Sequence, residues 1–294
     1  MKALVDVDGM TYLAGFAVEK SHYWVVYENA EGEMGEEYFT SGDDLKAFKK
    51  QEGIVVVDQE RVAQVGPLEH ALYIVRDKMQ RMQQLGDLEV YIKGDGETFR
   101  SRYATLDEYK GNRKDSWKPK HFDAICDYLI GKWGATKVNG REVDDEVSIR
   151  AHQLGKYYWV CSPDKDLDQI PGWHWNYRDN VEYYIDEETA RLWFWRQVVS
   201  GDFADNVKGC WKIGEGKADK WIDEHGHLSD EEIWAGIVTL YEESQGKNGC
   251  PYAGLDPEVV ALENAQLVWM QQKPGEIWMP PGQDFIYEEG NLDD

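Results

Sequence analysis

The chain has 294 residues, of which 32 are Lys or Arg and 56 are Asp or Glu, so its formal net charge is −24. That balance excludes a protein that binds nucleic acid through a uniformly basic surface, because phosphate backbones attract basic proteins. A chain of this length can bury a core without covalent staples, and its four widely spaced cysteines form no Cys-x-x-Cys pair. We therefore expect reduced cysteines in one large domain, or in a domain with an appended lobe.

The predicted elements alternate along the chain. Short apolar runs at 3–7, 88–92 and 157–161 indicate buried strands, and each is followed by Asp or Gly and then by a helical pattern. The predicted helices cover residues 67–85, 121–132, 144–154, 187–199 and 217–224. This alternation predicts an α/β fold with a mostly parallel central sheet flanked by helices. Ligands of such sheets bind outside the carboxyl ends of the strands.

Two segments depart from this alternation. Residues 20–60 contain a predicted hairpin, His22–Tyr27 and Glu36–Thr40, with a further strand at Val55–Asp58, and we interpret this segment as an insertion. Residues 273–294 form an acidic end that we expect to be flexible. In the middle of the chain, Gly172–Trp175 predicts a strand with both tryptophan rings on one buried face.

No apolar run approaches the roughly 18–20 residues of a membrane span, and the first residues lack the apolar stretch of a signal peptide. We expect a cytoplasmic protein without a membrane partner. Charge is unevenly distributed, since residues 226–294 hold 14 acidic and 2 basic side chains whereas residues 98–122 hold seven basic and three acidic ones. A local basic strip is sufficient to steer a phosphate ligand. The basic residues are Arg100, Arg102, Lys110, Arg113, Lys114, Lys118 and Lys120.

Nine carboxylates in five separate blocks follow predicted strands or begin predicted loops. They are Asp8, Asp95, Glu142, Asp144, Asp145, Asp164, Asp166, Asp202 and Asp205. Hard oxygen ligands of this kind suit Mg²⁺ or Mn²⁺. An EF-hand at Asp164 is excluded, because Gln169 and Trp175 stand where the loop needs Gly and Glu. The pattern predicts hydrolysis of a phosphodiester by two metal ions.

Several motifs resemble those of flap endonucleases, bacteriophage 5′-exonucleases and the 5′-nuclease domain of DNA polymerase I. Residues 94–100 (Gly-Asp-Gly-Glu-Thr-Phe-Arg) and 109–113 (Tyr-Lys-Gly-Asn-Arg) are similar to the segment before the catalytic arch of that family. Residues 142–145 (Glu-Val-Asp-Asp) and 162–167 (Ser-Pro-Asp-Lys-Asp-Leu) resemble two of its metal motifs. Residues 201–209 and 213–218 resemble the entry into its helix–turn–helix DNA clamp. The five blocks occur in family order over residues 6–222.

The resemblance implies roles for these residues. Asp8, Asp95, Glu142 and Asp144 would surround the first metal, and Asp164, Asp166, Asp202 and Asp205 the second, with Asp145 reached through water. Lys110 and Arg113 polarise the scissile phosphate in the family, and a helical spacing of three residues would place them on one face. The family also holds a monovalent cation at the clamp hairpin, where this chain departs from the family by having Lys212 instead of glycine.

Other predicted nucleic-acid contacts come from the residues themselves. Tyr109 is predicted to stack on a terminal base. Backbone amides at Gly209, Gly214 and Gly216 are predicted to bind a phosphate at a helix start. Charge is added there by Lys212 and Lys217, and along the basic strip by Arg100, Lys114, Lys118 and Lys120.

These expectations define an organisation and a function. We predict a 5′-nuclease core of the PIN-like type over 1–199, with an insertion at 20–60 and a short basic arch at 98–121. The clamp and C-terminal helices follow at 200–272. The expected activity is Mg²⁺-dependent 5′–3′ hydrolysis of DNA with a 5′ end, nick or flap, in replication, with RNA primers in RNA–DNA hybrids as further substrates; a bacteriophage protein of this kind would act in the host cytoplasm. The alternatives are a catalytically silent DNA-junction binder of the same fold and a metal-dependent ribonuclease.

Overall fold

The structure, a computed structural model, describes residues 1–113 and 117–287. Its strands are β1 (Lys2–Asp6), β2 (Glu19–Glu28), β3 (Met34–Phe39), β4 (Val55–Val65), β5 (Asp87–Lys93), β6 (Thr136–Val138), β7 (Tyr158–Cys161), β8 (Gly172–Asn176), β9 (Val181–Ile185), β10 (Glu276–Ile277) and β11 (Ile286–Tyr287). Its helices are α1 (Asp8–Ala17), α2 (Gly42–Lys49), α3 (Leu68–Leu85), α4 (Phe99–Tyr103), α5 (Phe122–Trp133), α6 (Val143–Leu154), α7 (Glu187–Ser200), α8 (Glu215–His225), α9 (Asp230–Gln245) and α10 (Pro257–Val268). The five predicted helices all occur, with ends displaced by at most two residues.

The central sheet has six strands in the order β6-β5-β1-β7-β8-β9. All neighbouring pairs are parallel except β8 and β9, so the predicted α/β class with a mostly parallel sheet is confirmed. β1 lies between β5 and β7, with Leu4 paired with Glu89 on one side and with Val160 on the other. The carboxyl ends of β1, β5 and β7 therefore lie at one edge.

Helix α6 packs on the sheet against β1, β5 and β7. Its buried Val147 and Ala151 join Leu4, Val160 and Leu167 in one apolar cluster. These side chains are almost completely removed from water, and burial of each Val or Leu among them contributes about 1.5–3 kcal/mol. Because α6 begins at the same edge where β1 and β7 end, its first turn is directed at the loops that carry the acidic motifs.

The chain divides into two compact units, one formed by Met10–Met79 with Lys118–Trp133 and the other by the remaining residues. The first of these contains the predicted hairpin, in which β2 pairs with β3 and also with β4 to give a three-stranded antiparallel sheet. The prediction of strands in this segment is confirmed, and β4 continues to Val65, seven residues past the predicted end.

Helices α7 to α10 lie in the other unit and share an aromatic core. Trp195, Trp234 and Trp278 contact one another with ring centroids 5.2–6.5 Å apart. Helix α9 begins with a capping box, in which Ser229 accepts from the amide of Glu232 and the Glu232 carboxylate accepts from the amide of Ser229. Such a cap satisfies two amides that the helix leaves unpaired.

Two further predictions concern the strand that carries two tryptophans and the four cysteines. The strand at Gly172–Asn176 exists, but of the two tryptophans only Trp175 is buried. Trp173 is 45% exposed and stacks on Trp159, so the prediction of two buried rings was wrong. All four cysteines are free thiols, and Cys161 and Cys210 are buried, as predicted. Within residues 1–113 and 117–287, no helix is long and apolar enough to cross a membrane.

A buried ion pair joins α4 to α6. The Arg100 guanidinium donates two hydrogen bonds to the Asp145 carboxylate, at 2.5 and 2.9 Å, and two more to the carbonyls of Leu267 and Trp269. The Asp145 carboxylate also accepts from the amide of Gln271. Both side chains are almost fully buried. Each supplies the counter-charge without which the other would be an uncompensated charge in the core.

We expect Arg100→Met to destabilise the protein by about 3–5 kcal/mol, because it leaves the Asp145 carboxylate buried without a counter-charge. Urea-induced unfolding measures this loss. The double variant Arg100→Met with Asp145→Leu removes both charges and should recover most of it. A double variant as unstable as the single one would contradict the assignment.

Candidate active site

The acidic motifs meet at the carboxyl edge of the sheet. Asp6 and Asp8 follow from β1, Asp164 and Asp166 from β7, and Glu142 is the N-cap of α6. The parallel order of β1 and β7 makes this convergence a consequence of topology. Asp202 and Asp205 join them from the turn after α7, and both line the same small cavity as Glu142, Asp144 and Asp166.

Asp6, to which sequence analysis assigned no role, binds two of the segments that carry the acids. Its carboxylate accepts hydrogen bonds of 2.9 Å from the Asp8 amide and from the Ser162 hydroxyl, and its carbonyl accepts one of 3.0 Å from Tyr177. Burial, together with the nearby charge of Asp8, raises the pKa of Asp6 to about 7. Asp6 thereby ties β1 to the loop after β7, and the Ser162 hydroxyl in turn accepts from the Asp164 amide.

Glu142 is the carboxylate most fully balanced by the protein. Lys110 forms an ion pair with it, Arg100 lies 3.5 Å away and Tyr109 donates a hydrogen bond of 3.0 Å. Burial opposes ionisation, but the charges of Arg100 and Lys110 outweigh it and lower the pKa of Glu142 to about 2. Glu142 is therefore ionised throughout the neutral range.

The remaining acids lie close together without such balance. Burial and the charges of Asp164 and Asp6 raise the pKa of Asp144 well above its usual range. Burial and the charges of Asp164 and Asp202 raise the pKa of Asp166 to about 8. Over the described ranges, no Lys or Arg side chain forms an ion pair with Asp144, Asp164, Asp166 or Asp202. These four carboxylates therefore repel one another.

Lys110 and Arg113 both contact the acids, though not from the predicted α-helix. Residues 111–113 form a 3₁₀ turn in which the Arg113 amide donates to the Lys110 carbonyl at 2.9 Å, and Lys110 has a positive φ of 56°. The helical interpretation was wrong because Gly111 and the docking of this segment favour a tight turn. The two cations nevertheless converge, since Arg113 contacts Asp205 and Lys110 lies 3.4 Å from it.

This segment is fastened to the turn that follows α7. The Lys110 amide donates to the Asp205 carbonyl at 2.9 Å, and Asn206 donates to the Glu108 carbonyl at 2.9 Å. Asn112 donates to the Phe203 carbonyl at 2.8 Å and Arg113 to the Ala204 carbonyl at 2.9 Å. Four bonds thus hold the predicted catalytic cations in a fixed position beside the acids.

Three sequence predictions require correction. Arg100 is buried and uses its donors within the protein, so it is not available to nucleic acid; Asp145 is likewise committed to Arg100 rather than to a metal. Tyr109 does not present its ring to a base, because its hydroxyl is bonded to Glu142 and Asp205 and its ring packs on the helical core. The motif spacing could not distinguish these buried roles from exposed ones.

The role of Asp95 as a ligand of the first metal stays a prediction. It lies just past β5 and is exposed, and only its backbone is bound, through the Asn139 side chain and the Gly140 amide. Across the described residues its carboxylate forms no hydrogen bond or ion pair. The loop after β5 turns through Gly96, whose φ is 101°, and this leaves Asp95 at the rim.

The predicted clamp residues lie between α7 and α8 and in the first turn of α8. The amide of Gly209 is not free for a phosphate, because it donates to the buried Asn264 at 2.9 Å. Gly214 and Gly216 have open space around them at the start of α8. Lys212 has a φ of 61° and its ammonium donates to the Asn248 carbonyl at 2.8 Å, while the Lys217 ammonium donates to the Lys212 carbonyl at 3.1 Å. The Lys217 ammonium therefore lies against the Lys212 carbonyl, and the monovalent cation at this hairpin stays a prediction.

The remaining predicted contacts of the basic strip are Lys114, Lys118 and Lys120. Lys118 and Lys120 are exposed and belong to the unit that contains the three-stranded sheet. Lys114 lies outside the described residues. Their contacts with nucleic acid stay predictions.

The donor set fits a divalent cation by its chemistry. Four facing carboxylates without protein cations offer only hard oxygens, and a bound cation would relieve their repulsion. Among the residues that the structure describes, however, no three His, Cys, Asp or Glu side chains surround a common point as metal ligands do. Lys110 and Arg113 instead contact two of the acids, Glu142 and Asp205. The metal assignment therefore rests on the oxygen donors of these side chains and not on a formed coordination shell.

No family model and no curated protein matches the sequence. Among solved structures, the chain is similar to T5 5′-exonuclease with divalent metal ions (zinc) bound, at 17% identity and a TM-score of 0.47, over 67% of this chain and 80% of that one. It is similar to a bacteriophage T5 flap endonuclease in a complex with DNA and metal ions, at 18% identity and a TM-score of 0.48, over 67% and 79%. At these identities and TM-scores, the likeness leaves the activity to be inferred from the side chains.

The raised pKa of Asp166 makes stability depend on pH. Its folded value of about 8 exceeds the unfolded value of about 3.9, so its contribution is fully present below about pH 4 and is lost as pH rises to about 8. In EDTA, we expect Asp166→Asn to melt a few degrees above the wild type at pH 8.5 and at a similar temperature at pH 4.

Asn keeps the oxygen that accepts the 2.7 Å hydrogen bond from Gln197, which makes the substitution nearly isosteric. The exposed Asp127→Asn on α5 serves as the control and should show no such pH dependence. Equal melting temperatures of Asp166→Asn and wild type at both pH values would contradict the assignment.

Proposed function

We propose that this protein is a metal-dependent nuclease that hydrolyses DNA phosphodiesters at 5′ ends, nicks or short 5′ branches. The observation that carries the proposal is the group formed by Asp144, Asp164, Asp166 and Asp202, which lacks ion-pair partners in the described residues and lies beside two fixed cations. The 5′ polarity rests on the order of the five motifs along the sequence.

Each group has a chemical part in this proposal. Asp8, Glu142, Asp144, Asp164, Asp166, Asp202 and Asp205 would hold two Mg²⁺ or Mn²⁺ ions. Such ions supply an activated hydroxide and stabilise charge on the phosphoryl and leaving oxygens. Lys110 and Arg113 would donate to non-bridging phosphate oxygens, since they already lie at the margin of the acid group. Tyr109 would orient Glu142 and Asp205 through its hydroxyl.

The first test is cleavage of nicked, flap and blunt duplexes labelled at the 5′ or the 3′ end, with Mg²⁺, Mn²⁺ or EDTA. We expect short products from the 5′ end with either ion and no cleavage in EDTA. Asp144→Asn and Asp164→Asn should each lower kcat by several orders of magnitude, because they weaken the charge stabilisation on which the reaction depends. Asp127→Asn, outside the site, should cleave normally.

The same substrates distinguish the alternatives. Binding without cleavage under every condition would favour a silent junction-binding protein. Faster cleavage of a ribonucleotide strand than of DNA would favour a ribonuclease, and comparable cleavage of both would include primer removal among the activities.

The clamp makes a separate prediction. Lys212→Ala and Lys217→Ala should weaken duplex binding, with little effect on cleavage by saturated enzyme. The slope of log K against log salt concentration should become shallower by about one unit for each phosphate that the variant no longer neutralises. Lys49→Ala, an exposed lysine at the end of α2, is the control. A large loss of the saturated rate at unchanged affinity would contradict the clamp assignment.

A further inference from the structure

One aromatic side chain next to the acids has almost no contact with the protein. Phe203 is 92% exposed, and it lies in the turn between Asp202 and Asp205. Single exposed apolar residues are common on protein surfaces and need no explanation by themselves. Phe203 is distinguished by its position, because Asp202 just before it and Asp205 two residues after it contribute carboxylates to the candidate site.

The turn that carries Phe203 is rigidly held. The Val207 amide donates to the Asp202 carbonyl at 2.8 Å, which closes the turn, and the Ala204 amide donates to the Asp202 carboxylate at 2.9 Å. The Phe203 carbonyl accepts from Asn112 at 2.8 Å. Asn206, with a φ of 63°, completes the bend. The ring is therefore held out into solvent by an ordered backbone and does not belong to a loose loop.

The ring contributes little to folding, since a side chain that stays in water gains no burial energy. A more polar residue would serve the turn equally well. An aromatic ring in this position instead presents a flat apolar face beside a site whose other exposed groups are charged. The ligand that combines a charged phosphate with a neutral flat ring is a nucleotide.

We propose that Phe203 stacks on the nucleobase next to the phosphodiester held at the carboxylates. This inference rests on the proposed nuclease function and adds a substrate contact to it. The sequence had assigned base stacking to Tyr109, whose hydroxyl is committed to Glu142 and Asp205. Phe203 is the aromatic residue of the turn that remains free to make that contact.

The test compares Phe203→Ala, Phe203→Leu and Phe203→Tyr on a flap substrate that carries either a normal 5′-terminal nucleotide or an abasic one. We expect Phe203→Ala to lower kcat/KM about 5- to 100-fold on the normal substrate, which is the range of base–aromatic stacking. Phe203→Leu should show most of the same decrease in kcat/KM, because it lacks an aromatic ring. Phe203→Tyr keeps the ring and should show little of it. On the abasic substrate, kcat/KM of the wild type should fall to the value that Phe203→Ala shows on the normal substrate. Phe203→Ala itself should show no further decrease in kcat/KM on the abasic substrate.

A binding readout makes the test independent of turnover. With 2-aminopurine at the 5′ position, in an Asp164→Asn background that slows cleavage, fluorescence should be quenched by the protein with Phe203 and much less by Phe203→Ala. Tyr157→Ala removes another exposed ring, 73% exposed and at the start of β7, and should match the wild type. Thermal unfolding of Phe203→Ala should be unchanged, because the ring is in solvent.

The outcomes separate the two proposals. Cleavage by the wild type, with Phe203→Ala equal to it in kcat/KM and in quenching, overturns the stacking inference and leaves the nuclease proposal intact. Equal losses on normal and abasic substrates, or full activity of Phe203→Leu, also overturn stacking. Absence of cleavage by the wild type with every substrate and ion overturns the nuclease proposal, and the quenching experiment then still decides whether Phe203 meets a base.

Discussion

The carboxyl edge of the sheet is dominated by repulsion between carboxylates that the topology forces together. β1 and β7 are adjacent and parallel, so Asp8 and Asp164 must emerge side by side. Asp144 enters the same space from the start of α6. Like charges at this separation oppose ionisation, which is expressed in the raised pKa values of Asp144 and Asp166. A fold that keeps such a group is less stable at neutral pH than one without it. A cation that binds to the acids in the folded state restores this stability.

Helix α10 holds the two segments that bring the cations and the last acids to this edge. Glu263 accepts hydrogen bonds of 2.8 Å from the amides of Thr105 and Leu106, at the beginning of the segment that leads to Lys110. Its neighbour Asn264 accepts from the Gly209 amide at 2.9 Å, at the end of the turn that carries Asp202 and Asp205. One helical turn therefore fixes both loops by buried hydrogen bonds. This explains how a site built from distant parts of the sequence keeps a defined geometry.

Periodicity was sufficient to predict the sheet, five helices and the acids at its edge, because apolar runs and strand ends are local properties. It could not predict the environment of a single side chain. Arg100 and Lys110 are both basic residues near the same motif, yet one is buried against Asp145 and the other contacts Glu142 at the margin of the site. Tyr109 was predicted to stack on a base for the same reason, although its hydroxyl is bonded to Glu142 and Asp205. Burial of a side chain depends on which distant segment packs over it, and the helices after α7 decide that.

The charge distribution then constrains how DNA could be held. The chain carries a formal net charge of −24, and Arg100, Lys110 and Arg113 are each paired with a carboxylate, those of Asp145, Glu142 and Asp205. Without added cations this edge has little attraction for phosphate, since its remaining charges are negative. Attraction for phosphate must arise after the acids are neutralised, when Lys110 and Arg113 are no longer fully occupied by Glu142 and Asp205. Non-ionic contacts, such as a base stacked on Phe203, gain importance under this constraint, because they are insensitive to the balance of charge.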